Sequence, residues 1–566
     1  EKCSGWKGVF IIHIHTNKLG CFLEKAGLYV IAGFSIIFAL FISGVSLFHT
    51  TSVQKIDEGQ GVSSTIYNIK ERLESIIYYN DNFIWNLILL AICLLVAFFA
   101  VAKLKKIKLR YQVIFLFLWT FILGTTWVIS SQSAPTEDSY FVTNFALEFS
   151  NGDFSVLEED RYFKNCSYQL GYVFFNEILI RIARIFKPVT TFIFLEVCNA
   201  FFLSVIYVFL LLLLEALFHN PRINMVATIL LALSAAPLIF CSFVYGVYPG
   251  MMFALIALYC EIRYLKDNKI VFGILAIPSI VIAVMVKSNY LIWLIAMVLI
   301  CLVVMFRRKK YAFDIGFLVL AVGLSMVVQP SVKAMYENRS GVDLGDSIPY
   351  VSWIAMGLNE SDLAPGWYDY HYNITNFEES DFNAEKAAES SKKEIADRVH
   401  YFVKNPQYAN DFFYLKAVSQ WNETTYESIW NNVVRNQYQE KGKLSDWVCN
   451  QGQPKVRRYM DVFAQFIFFA FLVSCVYTLR KKNFLWGTIP LIFVGGFLFL
   501  QLSEGKSQYV MPYFILMTGF SAFGIVSLYD KFAEKIEGKR ILSAVFLKRA
   551  AKKDVPSEKN QQNQMK

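Results

Sequence analysis

A chain of 566 residues that is 55% hydrophobic and only 17% charged, with a mean hydropathy of +0.41, is too apolar for a soluble globular protein. Its net charge of +9 does not point to nucleic acid, because the basic residues cluster beside apolar runs, where the positive-inside rule accounts for them. The composition describes a polytopic membrane protein without a nucleic-acid partner.

The chain starts at Glu1 with an apolar GVFIIHI piece that is too short to span and shows no cleavable signal sequence, so insertion is expected to start with the first full span. Apolar runs at 27–48, 83–102 and 111–130 each approach the ~20 residues that cross a bilayer. Between the second and third lie Lys103, Lys105, Lys106, Lys108 and Arg110, which place that loop in the cytoplasm. The third span therefore delivers residues 131–170 to the outer side. The run 171–186 is expected not to cross. Arg181, Arg184 and Lys187 recur at helical spacing opposite an Ile and Phe face, the pattern of a helix lying along the interface.

Parity supports this independently. Five apolar runs follow, at about 189–214, 223–241, 248–262, 270–286 and 290–306, before Arg307, Arg308, Lys309 and Lys310, and five crossings put that cluster inside. A span at 316–329 releases residues 331–458 outward. Spans at 461–479, 484–502 and 510–529 then alternate with Arg480, Lys481 and Lys482 and with a basic tail that ends in a polar, disordered stretch. The expectation is an all-α polytopic fold of about 12 transmembrane helices, multi-pass in the plasma membrane with both termini cytoplasmic. Its parts are 1–110 with two spans, 111–330 with a first outer loop at 131–187, an extracytoplasmic and mainly helical domain at 331–458, three spans in 459–529, and the tail 530–566.

Within 331–458, Ala384, Ala388, Ser391, Ile395, Val399 and Phe402 predict one helix, broken at Asn405-Pro406, and Tyr408, Phe412, Leu415 and Ser419 begin a second. Trp353, Trp367, Tyr368, Tyr370, Tyr372, Trp421, Tyr426 and Trp430 make this segment rich in rings. Such rings either pack a small domain onto the membrane or offer stacking faces to a sugar.

The densest acidic chemistry follows the third span. Glu137 and Asp138 sit a few residues beyond the interface, where the pair reads either as a solvated loop or as a general base or cation holder. Pro135, Asp138 and Ala146, the turn Gly152-Asp153-Phe154-Ser155, the pair Tyr162-Phe163 and the stretch from Tyr168 through Gln169 to Gly171 resemble the first outer loop of bacterial polytopic glycosyltransferases. These are the family 39 relatives of protein O-mannosyltransferases and aminoarabinose transferases, with the GT-C fold. The segment from Phe412 to Trp430 resembles Gram-positive-type members. The resemblance implies a sugar donor carried on polyprenyl phosphate, a glycan, lipid or protein acceptor, and a catalytic acid in this loop. Many members read Asp-Glu where this chain reads Glu-Asp, so the base falls on Asp138 with Glu137 as helper.

Other candidates are spread along the chain. Lys287, beside Ser288 and Asn289 at an outer turn, is either a snorkelling lysine or a phosphate partner. The last outer turn, QLSEGKSQYVMPY, resembles the family's E-x-x-x-R-Y signature through Glu504 and Tyr509. Gln508 stands at the arginine position, leaving Lys506 as the substitute cation. Glu196 and Asn199, near the outer end of a span, are expected to face a bundle interior or a cavity, and Tyr168, Gln169 and Trp421 are further substrate-binding candidates. Six of the ten cysteines lie in or beside spans as small hydrophobes, while Cys166 and Cys449 fall in the two outer loops, where a disulfide could form.

The six histidines show no metal spacing, and no phosphate loop or dinucleotide fingerprint occurs. No cofactor is required, although a divalent cation could assist a leaving phosphate. A glycosyltransferase acting at the outer face is the expected function. A transporter or flippase of lipid-linked saccharides, or a polymerase or ligase of them, is the alternative. Transporters tend to place charge near the bilayer midplane, whereas the acidic groups here lie outside the spans.

Overall fold

The computed structural model describes residues 5–55, 74–104, 106–159, 161–186, 190–435 and 441–553. Helix α1 (Gly5–Val45) leads into strands β1 (His49–Lys55) and β2 (Glu74–Asn80), then α2 (Phe83–Lys103) and α3 (Leu109–Ser131). The first large loop holds α4 (Glu137–Asn151), α5 (Val156–Glu159), α6 (Tyr162–Asn165) and α7 (Leu170–Phe186). Next come α8 (Thr191–Phe218), α9 (Pro221–Leu233), α10 (Ala235–Ile239), α11 (Val247–Asp267), α12 (Ile270–Val286), α13 (Leu291–Arg308) and α14 (Tyr311–Ser340). The second large segment carries α15 (Tyr350–Gly357), α16 (Ile374–Glu379), α17 (Ala384–Lys404), α18 (Pro406–Trp421), α19 (Ser428–Arg435) and α20 (Lys443–Cys449). The chain closes with α21 (Gln453–Lys481), α22 (Thr488–Leu502) and α23 (Met511–Lys553).

Each of the twelve expected crossings falls on a helix or a helix pair. Among the described residues nine helices are long and apolar enough to span, and α9 with α10 forms a tenth, bent by 52°. Helix α12 is shorter, at 17 residues, and α11 carries Glu261, Arg263, Lys266 and Asp267 in its last turns. The bend has a covalent cause. Pro237 lacks the N–H that would bond back to the Leu233 carbonyl, and the Tyr459 hydroxyl of α21 donates to that carbonyl at 2.6 Å.

Contacts divide the loops between two ends. At one end Thr51 N–H donates to the Asn422 carbonyl at 3.1 Å, Ile348 N–H to Asn165 at 3.1 Å and Gly442 N–H to Ser130 at 2.8 Å. At the other, Arg307 meets Glu24 at 2.9 Å, Arg222 meets Asp530 at 2.8 Å and the Trp486 indole donates to the Leu217 carbonyl at 2.9 Å. The basic loops gather at this second end. All the candidate outer segments gather at the first.

Several details depart from expectation. Strands 49–55 and 74–80 pair antiparallel, His49 with Asn80 through Lys55 with Glu74, so a two-stranded ribbon accompanies the helices. Its β-branched and aromatic alternation suits a half-buried ribbon, and Val53 and Ile76 pack against Ala364, Trp367 and Trp430. Helix α14 continues through Pro330 to Ser340, beyond the expected end of its span. Helix α17 forms with its expected face largely inward, Ala384 and Ile395 packing against neighbouring apolar clusters, and one position of that face differs. Ala387, Ser391 and Phe402 face inward, Val399 is exposed, and Arg398 lies over the Phe402 ring at 4.7 Å. Cys166 and Cys449 are both free thiols.

Helix α7 buries Tyr172, Val173, Asn176, Glu177, Ile180 and Ala183 and exposes Ile182, Ile185 and Phe186; Lys187 lies outside the described residues. Glu177 accepts from Arg181 at 2.8 Å, from Tyr336 at 2.8 Å and from Arg339 at 2.7 and 2.8 Å. This anchors α7 to α14 and offsets burial enough to bring the Glu177 carboxyl down to about 2. Gly171 makes the seat tight, since an added Cβ would lie 2.0 Å from the Met285 carbonyl. Of the tail expected at 530–566, residues 530–553 continue helix α23, and its polar end lies outside the described residues.

Candidate functional site

Helix α4 begins abruptly. Gln132 caps α3 with left-handed backbone (φ 44°), and Glu137 opens α4 at φ 50°, an uncommon conformation for a side-chain-bearing residue. The turn sets Asp138 in the first turn of α4, where helix N–H groups favour a negative charge. Buried Ser139 pins this start by donating to the Val244 carbonyl at 2.9 Å. Glu137 points outward and is exposed, whereas Asp138 is half-buried.

Both Asp138 oxygens are engaged. Tyr162 donates to Oδ1 at 2.9 Å and Tyr245 to Oδ2 at 2.9 Å, while the Gln169 amide donates to the Tyr245 hydroxyl at 2.7 Å. Burial, and then the Asp138 charge, push both phenols well above their ordinary range, so they remain donors. Tyr162 stacks on Phe141 at 4.4 Å, which fixes its reach. Tyr245 arrives on the turn that follows the bent α9–α10 pair. The next residue, Gly246, has φ 51°, and an added Cβ would meet the Val286 carbonyl at 3.1 Å, so the turn needs glycine.

Lys287 follows α12 on the other side of Tyr245. Its Nζ lies 3.9 Å from the centre of the Tyr245 ring and 5.3 Å from that of Tyr509, the geometry of a cation–π seat. Burial pulls this ammonium down to about 8, against the attraction of Asp138 and Glu504. The Tyr509 hydroxyl donates to Glu504 at 3.0 Å. Burial raises the Glu504 carboxyl, with Lys506 and Tyr509 opposing. Lys506 faces Glu427 at 4.0 Å; burial works against its charge, but Glu427, Glu137, Glu74 and Glu504 outweigh it and hold the ammonium above its usual range. A small recess of about 20 Å³ adjoins Lys287, lined by Tyr290, Trp293, Gln508, Tyr509 and Tyr513 among others.

Asp138, Gln169, Lys287, Glu504, Lys506 and Tyr509, drawn from four separate stretches, therefore converge. Tyr168 borders the cluster, its ring 6.2 Å from Trp353. Asn199 sits one layer deeper and donates to the Cys241 and Phe243 carbonyls at 3.1 and 2.9 Å, shaping the turn that carries Tyr245. Glu196 is buried in the same helix, with its charge near Cys241. Trp421 corrects its expectation as a ligand-facing residue. It is 1% exposed and wedged between Phe493 and Phe497 of α22 at 5.5 and 5.6 Å, a core position.

Sequence reasoning did not find Tyr245, Glu427 or Lys416. Tyr245 had one signal, the Tyr-Gly step interrupting an apolar run. Glu427, at φ 58°, accepts from the Gln508 N–H at 3.2 Å and from Ser507 at 3.1 Å; burial raises it to about 7. Lys416 of α18 donates to the carbonyls of Gln501 at 3.0 Å, Ser503 at 2.7 Å and Gly357, tying the last site loop to the second large segment. Among the described residues no group of three or more His, Cys, Asp or Glu is placed to hold a metal ion.

The bundle and its loop-built site define a polytopic, helical integral membrane protein. The chain belongs to the family described as "Conserved hypothetical integral membrane protein", whose model matches residues 160–524, more than half of the chain. That match begins beyond Asp138 and includes every other residue of the cluster. No curated protein matches. Among solved structures, the chain is similar to the archaeal oligosaccharyltransferase AglB from Archaeoglobus fulgidus, in complex with an inhibitory peptide and a dolichol-phosphate. The identity is 11% and the TM-score 0.36, over 78% of this chain and 54% of that one. It is also similar to the Archaeoglobus fulgidus oligosaccharyltransferase tethered with an acceptor peptide, at 12% identity and TM-score 0.36, over 74% and 50% of the two chains. The chain thus spans about half the length of either structure.

Proposed function

We propose that this protein is a membrane glycosyltransferase of the GT-C type that moves a sugar from a polyprenyl-phosphate donor to an acceptor hydroxyl at the extracytoplasmic face. The observation that carries the reading is the half-buried Asp138 carboxylate, held by Tyr162 and Tyr245, with the Lys287 ammonium over the face of the same Tyr245 ring. One group can accept a proton and the other can meet a phosphate. The family 39 resemblance of the first loop supports the same assignment. The positive-inside rule puts the basic end of the bundle, and both termini, in the cytoplasm, leaving the site outside.

In the proposed step Asp138 takes the acceptor O–H proton as the oxygen bonds to the anomeric carbon. The bond from that carbon to the phosphate oxygen breaks, and its electron pair leaves with the lipid phosphate. Lys287 and Lys506 offset the charge that accumulates there, so the reaction as written needs no metal ion. The family resemblance implies inversion at the anomeric carbon.

The test uses purified protein with a polyprenyl phosphate hexose. Asp138→Asn keeps size and hydrogen bonding but loses the proton acceptor, and transfer is expected to fall about a hundred- to ten-thousand-fold with donor binding retained. Glu137→Gln, altering an exposed side chain, is expected to cost less. Near-normal turnover by Asp138→Asn would sink the assignment.

A further inference from the structure

The aromatic residues of the second large segment separate into two sets. Trp367, Trp421, Tyr426 and Trp430 are buried and belong to packing. Tyr350, Trp353, Tyr368 and Tyr370 are half-buried or exposed and, with Tyr168 of the first loop, form one unbroken strip. Ring centres lie 6.3 Å apart for Tyr350 and Tyr168, 6.2 Å for Tyr168 and Trp353, 6.4 Å for Trp353 and Tyr368, and 5.4 Å for Tyr368 and Tyr370.

The strip borders the charged cluster at more than one point. Tyr168 adjoins Gln169, whose amide holds the Tyr245 hydroxyl. The Tyr350 hydroxyl pairs with Ser288, next to Lys287. Tyr368 feels the charges of Asp138 and Glu504. From there the strip runs to Tyr370, beside exposed His371. The recess beside Lys287 is lined by Tyr290 and Trp293, at the start of a spanning helix, whereas none of the five rings of the strip lines it.

We propose that this strip is the acceptor subsite and that the acceptor is a saccharide; the proposal rests on the glycosyl-transfer reading above. Four of the five rings are phenols, so the strip presents flat apolar faces with hydroxyl edges. That matches a sugar ring, which has a C–H face and a polar rim. A peptide acceptor would call for a free strand edge or an aliphatic groove. The strip's residues lie on helical turns and loop rather than on a strand, and the β1 edge of the two-stranded ribbon is turned to α18 and Asn422.

The experiment measures transfer from a polyprenyl phosphate hexose by the purified full-length protein, offered hexose oligosaccharides of increasing length and, separately, serine- and threonine-containing peptides. Saccharides are expected to be used, with KM falling as units are added. Trp353→Ala and Tyr370→Ala are expected to raise the saccharide KM about three- to tenfold, leaving kcat and donor Kd within about twofold. Trp353 also packs against Ile348 and Phe377, so Tyr370→Ala, farther from that packing, keeps the test decisive if Trp353→Ala does not fold. Unchanged saccharide KM in Tyr370→Ala, or transfer to peptides alone, overturns the acceptor assignment and leaves the transferase reading standing. Absence of transfer to any acceptor by the unaltered protein overturns both.

Discussion

Tyr245 stands between Lys287 and Asp138: its ring carries the ammonium at 3.9 Å and its hydroxyl holds the carboxylate at 2.9 Å. A direct ion pair would tie up both groups. The interposed phenol keeps the positive and negative charges near one another without a direct ion pair, which suits the separate roles proposed for them above.

Tyr245→Phe separates these roles. The ring remains, so the Lys287 seat and donor binding are expected to persist, while the bond to Asp138 and the anchor for Gln169 are lost. A hydrogen bond to a charged group contributes roughly 1.5–3 kcal/mol, so kcat is expected to fall at least about tenfold. A drop in donor affinity with unchanged kcat would contradict this division.

Burial pulls Lys287 from 10.5 to about 8, and only its protonated form attracts a phosphodiester. Donor affinity is therefore expected to be full below pH 8 and to decline as pH rises through it. Lys287→Met should bind about tenfold more weakly, an energy of about 1.4 kcal/mol, with no such decline. Titrating donor binding against pH for both proteins checks it, and a flat profile in the unaltered protein would remove Lys287 from the phosphate role.

Lys416 is a structural counterpart to the site lysines. Lys416→Met leaves the carbonyls of Gly357, Gln501 and Ser503 without their donor and should cost at least about 2 kcal/mol, read as a lower Tm in detergent. Burial also shifts Lys416 from 10.5 to about 7. Between those values the unfolded chain binds the extra proton, so this residue makes stability rise with pH. The difference in Tm between the two proteins should accordingly grow from pH 7 upward.

The grouping of loops predicts sidedness. Cysteines introduced at exposed Asn151 and Ser390 should react with an impermeant thiol reagent in intact cells, whereas ones at exposed Ile107 and Lys269 should not. Gly505 is a poor probe despite its place in an outer turn, because its Cβ would press on Trp367 at 3.0 Å. Labelling of Ile107 without Ser390 would invert the orientation.

By itself the sequence determined the crossings, because span length and the placement of Lys and Arg are one-dimensional properties fixed by bilayer thickness and loop charge. It also marked Asp138, Lys287, Glu504, Lys506 and Tyr509, since polar groups stand out against apolar runs. The pairing of 49–55 with 74–80 was hidden, as short alternating strands give a weak signal and the two are well separated in sequence. Of the expected inward face of α17, Ser391 and Phe402 are buried, and only Val399 is turned to the surface, where Arg398 packs over Phe402 as a hydrophobe would. Only the tertiary structure decided which rings are core and which are open. Trp421 and Trp353 look alike in sequence, yet one is clamped by Phe493 and Phe497 and the other lies along a strip beside Asp138. It also placed Tyr245 against both Asp138 and Lys287, through a Pro237 bend and a Gly246 turn that bring Tyr245 to a carboxylate more than a hundred positions away.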